Sequence, residues 1–205
     1  MSQASPARLP AAERRSAIIA AALEVFGSGS YGGSTTAEIA RAAGVSEPII
    51  YRHFASKRAL WFACVDEAWR RLRTAIEQKG APSVAHAGSV TGAGTGKRSP
   101  WSSPLLPNLW LQGVTEAAED EEIQRYVRSH VREVHDFVAE MMRGYQAVGA
   151  MPADRDPDAE AWIFLAGGLL RSFAGRLGGV LGGAEFAAIG RERRRWLSGG
   201  SERDA

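Results

Sequence analysis

Between Glu121 and Val148 the apolar residues Ile123, Val127, Val131, Val134, Val138, Met141 and Tyr145 fall three or four positions apart, with Arg125, Arg128, Arg132, Asp136 and Arg143 on the opposite side. That spacing is one stripe of a helix with about 3.6 residues per turn, and it is incompatible with the two-residue period of a strand. The pattern recurs along the chain, and alternation of period two is absent. A first helix is expected from Pro10, a residue suited to a first turn, with Ile18, Ala22, Val25 and Phe26 inward and an end at Gly27. A second starts at Thr35, where Thr35 and Glu38 have capping-box spacing, and stops at Gly44, a residue that accepts the left-handed cap conformation. A third starts at Ser46 with Pro48 in its first turn. A fourth runs from Ser56 to about Lys79 and is expected to bury Leu60, Cys64, Ala68, Leu72 and Ile76. Further helices are expected over Leu105–Ala118, from Asp156-Pro157 with Trp162, Leu165, Leu169 and Phe173 inward, and over Ala184–Leu197. The expected fold class is all-α.

With 205 residues, 45 % hydrophobic and 23 % charged, the chain has enough apolar material for a sizeable core and an ordinary soluble composition. Cys64 is the single cysteine, so neither an internal disulfide nor a cysteine-based zinc cluster can form. The apolar runs Ala17–Leu23 and Ala161–Leu170 fall short of the roughly 20 residues that a membrane-spanning helix needs. No apolar run follows a basic start, so no secretory signal is read. A cytoplasmic location without membrane partners is the expectation. The net charge of +2 conceals a polarity: residues 1–79 carry eleven basic and seven acidic side chains, a net +4, whereas residues 116–160 carry five and twelve, a net −7. Residues 80–104 are rich in Gly, Ser, Ala, Thr and Pro, lack an apolar stripe, and read as a flexible linker or loop.

The informative stretch is Thr35–Leu60, TTAEIARAAGVSEPIIYRHFASKRAL. Two short helices joined by a tight glycine turn form the helix-turn-helix pattern. Ile39, Ala40, Ala43 and Val45 are small or apolar where the two helices must cross, and Ile50 and Phe54 anchor the second helix from below. Its other side carries Glu47, Ile49, Tyr51, Arg52 and His53, which can reach a partner. Lys57 and Arg58 stand in the first turn of the fourth helix, where the helix dipole disfavours cations unless an anion arrives. The free backbone N–H groups, the dipole and Lys57 would then converge on one phosphate. The helix start at Thr35 and Thr36 can grip a phosphate in the same way.

Over Arg15–Leu60 the chain resembles the tetracycline-repressor (TetR) family of bacterial transcription regulators. The resemblance rests on Ile18 and Phe26, then Thr36, Ile39-Ala40, Ala43-Gly44-Val45-Ser46, Tyr51-Arg52-His53-Phe54, Lys57 and Leu60. Beyond residue 79 it is one of layout only. It implies an N-terminal three-helix helix-turn-helix DNA-binding domain over residues 1–55, a connecting helix over 56–79, the linker over 80–104, and a helical ligand-binding and dimerisation domain over 105–205. It places Thr36, Tyr51, His53 and Lys57 against the phosphate backbone, and Ala37, Glu47, Pro48 and Ile49 against base edges. Thr35, Ser46 and Arg52 complete the implied DNA-binding set. The chemistry allows these roles, since a Glu47 carboxylate can accept from cytosine N4 and Pro48 or Ile49 can pack on a thymine methyl. The implied function is a homodimeric, ligand-responsive repressor that binds a palindromic double-stranded operator and is released by a small hydrophobic effector. The readings weighed against it are a helical small-molecule-binding protein and an architectural DNA-binder without effector control.

No Ser/His/Asp order, paired-acid motif or metal-ligand spacing points to an enzyme, a metal or another cofactor. TGAGTGKRS at residues 91–99 imitates a phosphate-binding loop, but that loop needs Gly at 91 and Ser or Thr at 98, where the chain has Thr91 and Arg98. His130 and His135, five apart, point about 140° apart on a helix and form no metal pair. Cys64 lies on the buried stripe of its helix and reads as core. Trp101, Leu106, Trp110, Gln112, His130, Val134, Phe137, Met141 and Trp162 form the candidate ligand-binding set, an apolar and aromatic lining with His130 and Gln112 as polar anchors. Leu165, Gly168, Leu169, Ser172, Phe173, Phe186 and Ile189 on the last two helices form the candidate dimerisation set.

Overall fold

The computed structural model describes residues 10–79, 100 and 103–197. The described residues form eight α-helices and no strand. They are α1 (Ala11–Ser28), α2 (Thr36–Ala42), α3 (Glu47–His53), α4 (Lys57–Glu77), α5 (Leu105–Glu116), α6 (Glu121–Ala147), α7 (Pro157–Arg176) and α8 (Gly183–Leu197). The chain divides into two compact units, one ending at Ala68 and one beginning at Trp69. The division falls inside α4, whose first half contributes to the core of the first unit. None of the described helices is long and apolar enough to cross a membrane.

In the first unit Ile18, Ala22 and Phe26 of α1 are fully buried, while Val25 is half-buried. The helix continues through Gly27 to Ser28, one residue beyond the expected stop. There the Ser28 hydroxyl donates to the Glu24 carbonyl at 2.8 Å. Both halves of the α2 capping box are present: the Glu38 N–H donates to Thr35 Oγ1 at 3.2 Å, and the Thr35 N–H donates to Glu38 Oε2 at 2.9 Å. The Thr35 N–H holds the Glu38 carboxyl below the usual carboxylate range. Beyond α2 the chain turns at Gly44, with φ at 66°.

A side chain at Gly44 would meet no atom within 4 Å, so its penalty there is conformational alone. Gly44→Ala is expected to cost about 1–2 kcal/mol, since an L-residue is disfavoured by that much in the left-handed region. Denaturant unfolding checks this, with Gly44→Asn expected to cost less because asparagine tolerates that region.

Ile50 and Phe54 anchor α3, at 0 % and 4 % exposure, and the Arg15 guanidinium lies 4.9 Å above the Phe54 ring. Ser56 starts α4, its hydroxyl oxygen accepting from the Ala59 N–H at 3.1 Å. Leu60, Trp61, Cys64 and Val65 are fully enclosed. The Cys64 thiol faces the Ile19 carbonyl at 3.9 Å, a core position. Leu72 and Ile76, expected inward, are only half-buried.

In the second unit α5, α6 and α7 pack on one another. Asp120 caps α6 by accepting from the Glu122 and Ile123 N–H groups at 2.9 and 3.1 Å. Asp156 caps α7 in the same way, ahead of Pro157. The α6 stripe is buried at Ile123, Val127, Val134, Val138 and Tyr145, but Val131 and Met141 are half-buried and Met142 lies in the core instead. The cause is that α6 is flanked by two helices, so its covered face is wider than one stripe and takes in His130, His135 and Ala139 as well. On α7 the expected inward set is corrected more strongly. Ala161, Leu165, Ser172 and Ala174 are buried and Leu169 is half-buried, while Trp162 and Phe173 stand 45 % and 51 % exposed. Small residues allow close approach to the neighbouring helices, which turns the bulky ones outward. The expected linker falls mostly on residues 80–99 and 101–102, outside the described residues, and Trp101 lies there too.

Candidate functional site

The face of α2 and α3 presents Thr35, Ala37, Ser46, Pro48, Tyr51 and Arg52 to solvent. Glu47, Ile49, His53 and Lys57 flank them half-buried. Of the expected DNA-facing residues, Thr36 alone is buried, at 8 % exposure. Its hydroxyl donates to the Glu47 carboxylate, and the Tyr51 hydroxyl lies 3.2 Å from the same oxygen. The first residue of α2 thus meets the first residue of α3. This pair escaped sequence reasoning, because the two residues lie eleven apart and meet only once the helices have crossed.

Lys57 is placed by the core beneath it. Its ammonium lies 4.4 Å above the Tyr31 ring, and Tyr31 stacks on Phe26 at 6.1 Å and meets Trp61 edge-on at 5.8 Å. The arrangement offers cations at Arg52 and Lys57 and hydrogen-bonding groups at Tyr51 and His53. Between them stand a fixed carboxylate at Glu47 and apolar edges at Pro48 and Ile49. Such a surface can hold phosphates on its flanks and meet base edges at its centre. Among the described residues no group of three His, Cys, Asp or Glu could hold a metal ion.

The second unit contains a cavity of about 160 Å³. Three residues of the candidate ligand set line it, Leu106, Trp110 and Val134, together with four of the candidate dimerisation set, Leu165, Gly168, Phe186 and Ile189. Its polar side chains include Arg171 and Arg193, with no acidic residue among the described residues of the lining. Gln112 and His130 are buried, at 3 % and 4 % exposure, but stand outside this lining. The Trp110 indole N–H donates to His130 Nδ1 at 3.1 Å. Phe137 is half-buried, edge-on to Trp69 at 5.1 Å, and Met141 is half-buried. Trp162 stacks on His135 at 4.2 Å. His135 is buried as well, bridging Asp136 at 3.0 Å and the Asp158 carbonyl at 3.1 Å. Ser172 is buried and Leu169 half-buried, while Phe173 is exposed.

A second cluster also escaped sequence reasoning. Glu160, 4 % exposed, forms an ion pair with Arg193 and accepts from the Trp196 indole N–H at 2.9 Å. Arg155 lies 3.8 Å above the Trp196 ring. Burial, and then the nearby Arg155 charge, lower the Arg193 guanidinium from its ordinary range. Arg171 lies 4.3 Å above the Phe186 ring.

Residues 18–64 match the family model of bacterial regulatory proteins, tetR family. The HTH-type transcriptional activator FasR of Mycolicibacterium smegmatis is 41 % identical over 71 residues, which are 35 % of this chain and 32 % of that protein. The chain thus matches about a third of the length of that curated relative. A TetR-family transcriptional regulator from Cytophaga hutchinsonii superposes with a TM-score of 0.75 at 14 % identity, covering 94 % of this chain and 97 % of that one. One from Rhodococcus sp. superposes with a TM-score of 0.73 at 19 % identity, covering 91 % and 100 %. The regulator FadR from Bacillus subtilis, solved in complex with stearoyl-CoA, superposes at 0.64 with 16 % identity, covering 90 % and 98 %. At these identities the structures share the fold.

Proposed function

We infer that this chain, whose residues 18–64 match the tetR family model, is a tetR-family transcriptional regulator that places α3 in the major groove of double-stranded DNA and responds to a small apolar effector. The observation that carries the reading is the face built by α2, α3 and the start of α4, with Arg52, Tyr51, His53 and Lys57 around Glu47, Pro48 and Ile49. Groups at the rim suit phosphates, and the centre suits base edges.

The dimer is supported by the apolar residues that α7 and α8 leave open. Trp162, Ile163, Leu170, Phe173, Ile189 and Trp196 are each between 38 % and 51 % exposed. Apolar faces of this kind mark association surfaces, and a second copy of the chain is the occupant proposed. Two α3 helices related by a two-fold axis would read half-sites about 34–36 Å apart, or a multiple of that.

The cavity is the proposed effector site. Its apolar lining favours a small apolar molecule, and Arg171, whose guanidinium lies above the Phe186 ring, could meet an acidic group on it, Arg193 being already ion-paired with Glu160. The stearoyl-CoA bound to the Bacillus subtilis regulator combines apolar and anionic parts in the same way. The regulation is read as repression through operator occupancy. FasR is named an activator, so a promoter-reporter assay decides the sign.

The test is selection of bound duplexes from random DNA. A near-palindromic sequence is the expected result, and a chain that enriches no sequence overturns the reading. The effector site has its own test. Gly167 lines the cavity, and a side chain there would meet no atom within 4 Å. Gly167→Leu is expected to abolish effector-induced release, because without differential ligand binding no population shift occurs. Since Gly167 is exposed on the helix face of Ile163 and Leu170, the dimer state of the variant is measured alongside. Operator release measured by fluorescence anisotropy checks it.

A further inference from the structure

We propose that Thr36 sets base specificity through Glu47, as a positioning residue rather than a phosphate ligand. The proposal rests on the DNA-reading assignment above and gives Thr36, and with it the Tyr51 hydroxyl proton, a different task.

Three observations carry it. Thr36 is only 8 % exposed, so its side chain turns into the junction of α2 and α3 and away from a passing phosphate backbone. Its hydroxyl has one proton, and that proton goes to the Glu47 carboxylate. The Tyr51 hydroxyl, 3.2 Å away, must then be the donor toward the Thr36 oxygen. The result is a directed chain of hydrogen bonds from Tyr51 through Thr36 to Glu47, running across the two helices and ending on the acidic group of the reading face.

Glu47 needs such a hold. A carboxylate among phosphates is repelled by them, and an unrestrained glutamate samples many rotamers. It gains some support from its place in the first turn of α3, where a negative charge is favoured. The Thr36 bond fixes one carboxylate oxygen and leaves the other able to accept from an exposed amino group. In the major groove the amino groups on offer are cytosine N4 and adenine N6, and a carboxylate matches cytosine. A side chain held in one geometry discriminates between bases, whereas a mobile one only tolerates them.

The test compares the full-length chain with Thr36→Val, Thr36→Ser, Glu47→Ala and Tyr51→Phe. Sequence selection and competition binding are run on operator duplexes changed one base pair at a time. Valine keeps the shape of threonine and removes the hydroxyl, and serine restores it. The wild type is expected to prefer cytosine at one position per half-site by about tenfold. Thr36→Val and Glu47→Ala should both reduce that preference to about twofold or less at the same position, with the other positions unchanged. Thr36→Ser should retain it. Tyr51→Phe, which removes the outer hydroxyl, should keep most of the base preference while weakening all duplexes by one common factor.

Three outcomes overturn the proposal. In the first, Thr36→Val weakens all duplexes by one factor and leaves the base profile intact, as loss of a phosphate contact would. In the second, Thr36→Val and Glu47→Ala alter different positions. In the third, Thr36→Ser fails to restore the profile of a variant that melts like the wild type. A wild-type chain that selects no sequence at all fails the DNA-reading assignment itself, and so separates that failure from failure of the Thr36 role.

Discussion

Glu160→Ala is expected to destabilise the second unit by about 3–5 kcal/mol, the usual cost of removing one partner from a buried ion pair. Glu160 is 4 % exposed and serves two groups of α8, the Arg193 guanidinium and the Trp196 indole N–H. Its removal leaves Arg193 facing Arg155 without a compensating carboxylate, in a site whose burial already disfavours the charge. Glu160→Gln should cost less, since the amide can still accept from Trp196. The loss belongs to an unpaired charge rather than to a strong bond. Replacing Glu160 by Leu and Arg193 by Met together should therefore recover most of the stability. Urea unfolding of the four proteins, followed by circular dichroism, measures this. A double variant no more stable than Glu160→Ala would show that the effect is loss of packing.

Trp61→Ala is expected to cost the first unit a similar amount, about 3–5 kcal/mol, as large core truncations do. Trp61 is fully enclosed and supports Tyr31, the ring on which the Lys57 ammonium rests. The substitution therefore has a second consequence, loss of the surface that orients Lys57. Trp61→Phe keeps an aromatic edge for Tyr31 and should retain more than half of the stability. Denaturant midpoints check the energetic part. DNA affinity measured well below the midpoint checks the orientation of Lys57, and an unchanged affinity in Trp61→Ala would detach Lys57 from the Tyr31 platform.

The local devices of this fold are legible in the residues themselves. Thr35 with Glu38, Gly44 after α2, Pro48 early in α3 and Asp156-Pro157 at the start of α7 each act within four residues, so spacing alone reveals them. The long stripe of α6 was legible as a helix, but its phase slipped from Met141 to Met142, because two flanking helices cover more than one stripe. On α7 the phase could not be read. The run from Trp162 to Leu165 and the pair Leu169-Leu170 put apolar side chains on several faces, so periodicity cannot choose one. Packing chose the side with Ala161, Leu165 and Ser172 and left Trp162 and Phe173 open.

The features that matter most for the site were the least legible. Thr36 and Glu47 lie in different helices, and Glu160 is joined to Arg193 and Trp196 across two more. Such pairs exist only after the chain has folded. No rule of spacing announces them, although a buried Glu or Thr signals that a partner must be present.

The central claim is that the face of α2 and α3 reads DNA. It is tested most directly by the salt dependence of binding to the selected operator and to a scrambled duplex, for the wild type and for Lys57→Gln. Operator affinity is expected to lie at least about a thousandfold above that for scrambled DNA. Loss of the Lys57 charge should weaken both duplexes alike and lower the slope of log affinity against log salt by about one phosphate contact. Equal affinity for the two duplexes, or a slope unchanged in Lys57→Gln, would contradict the claim.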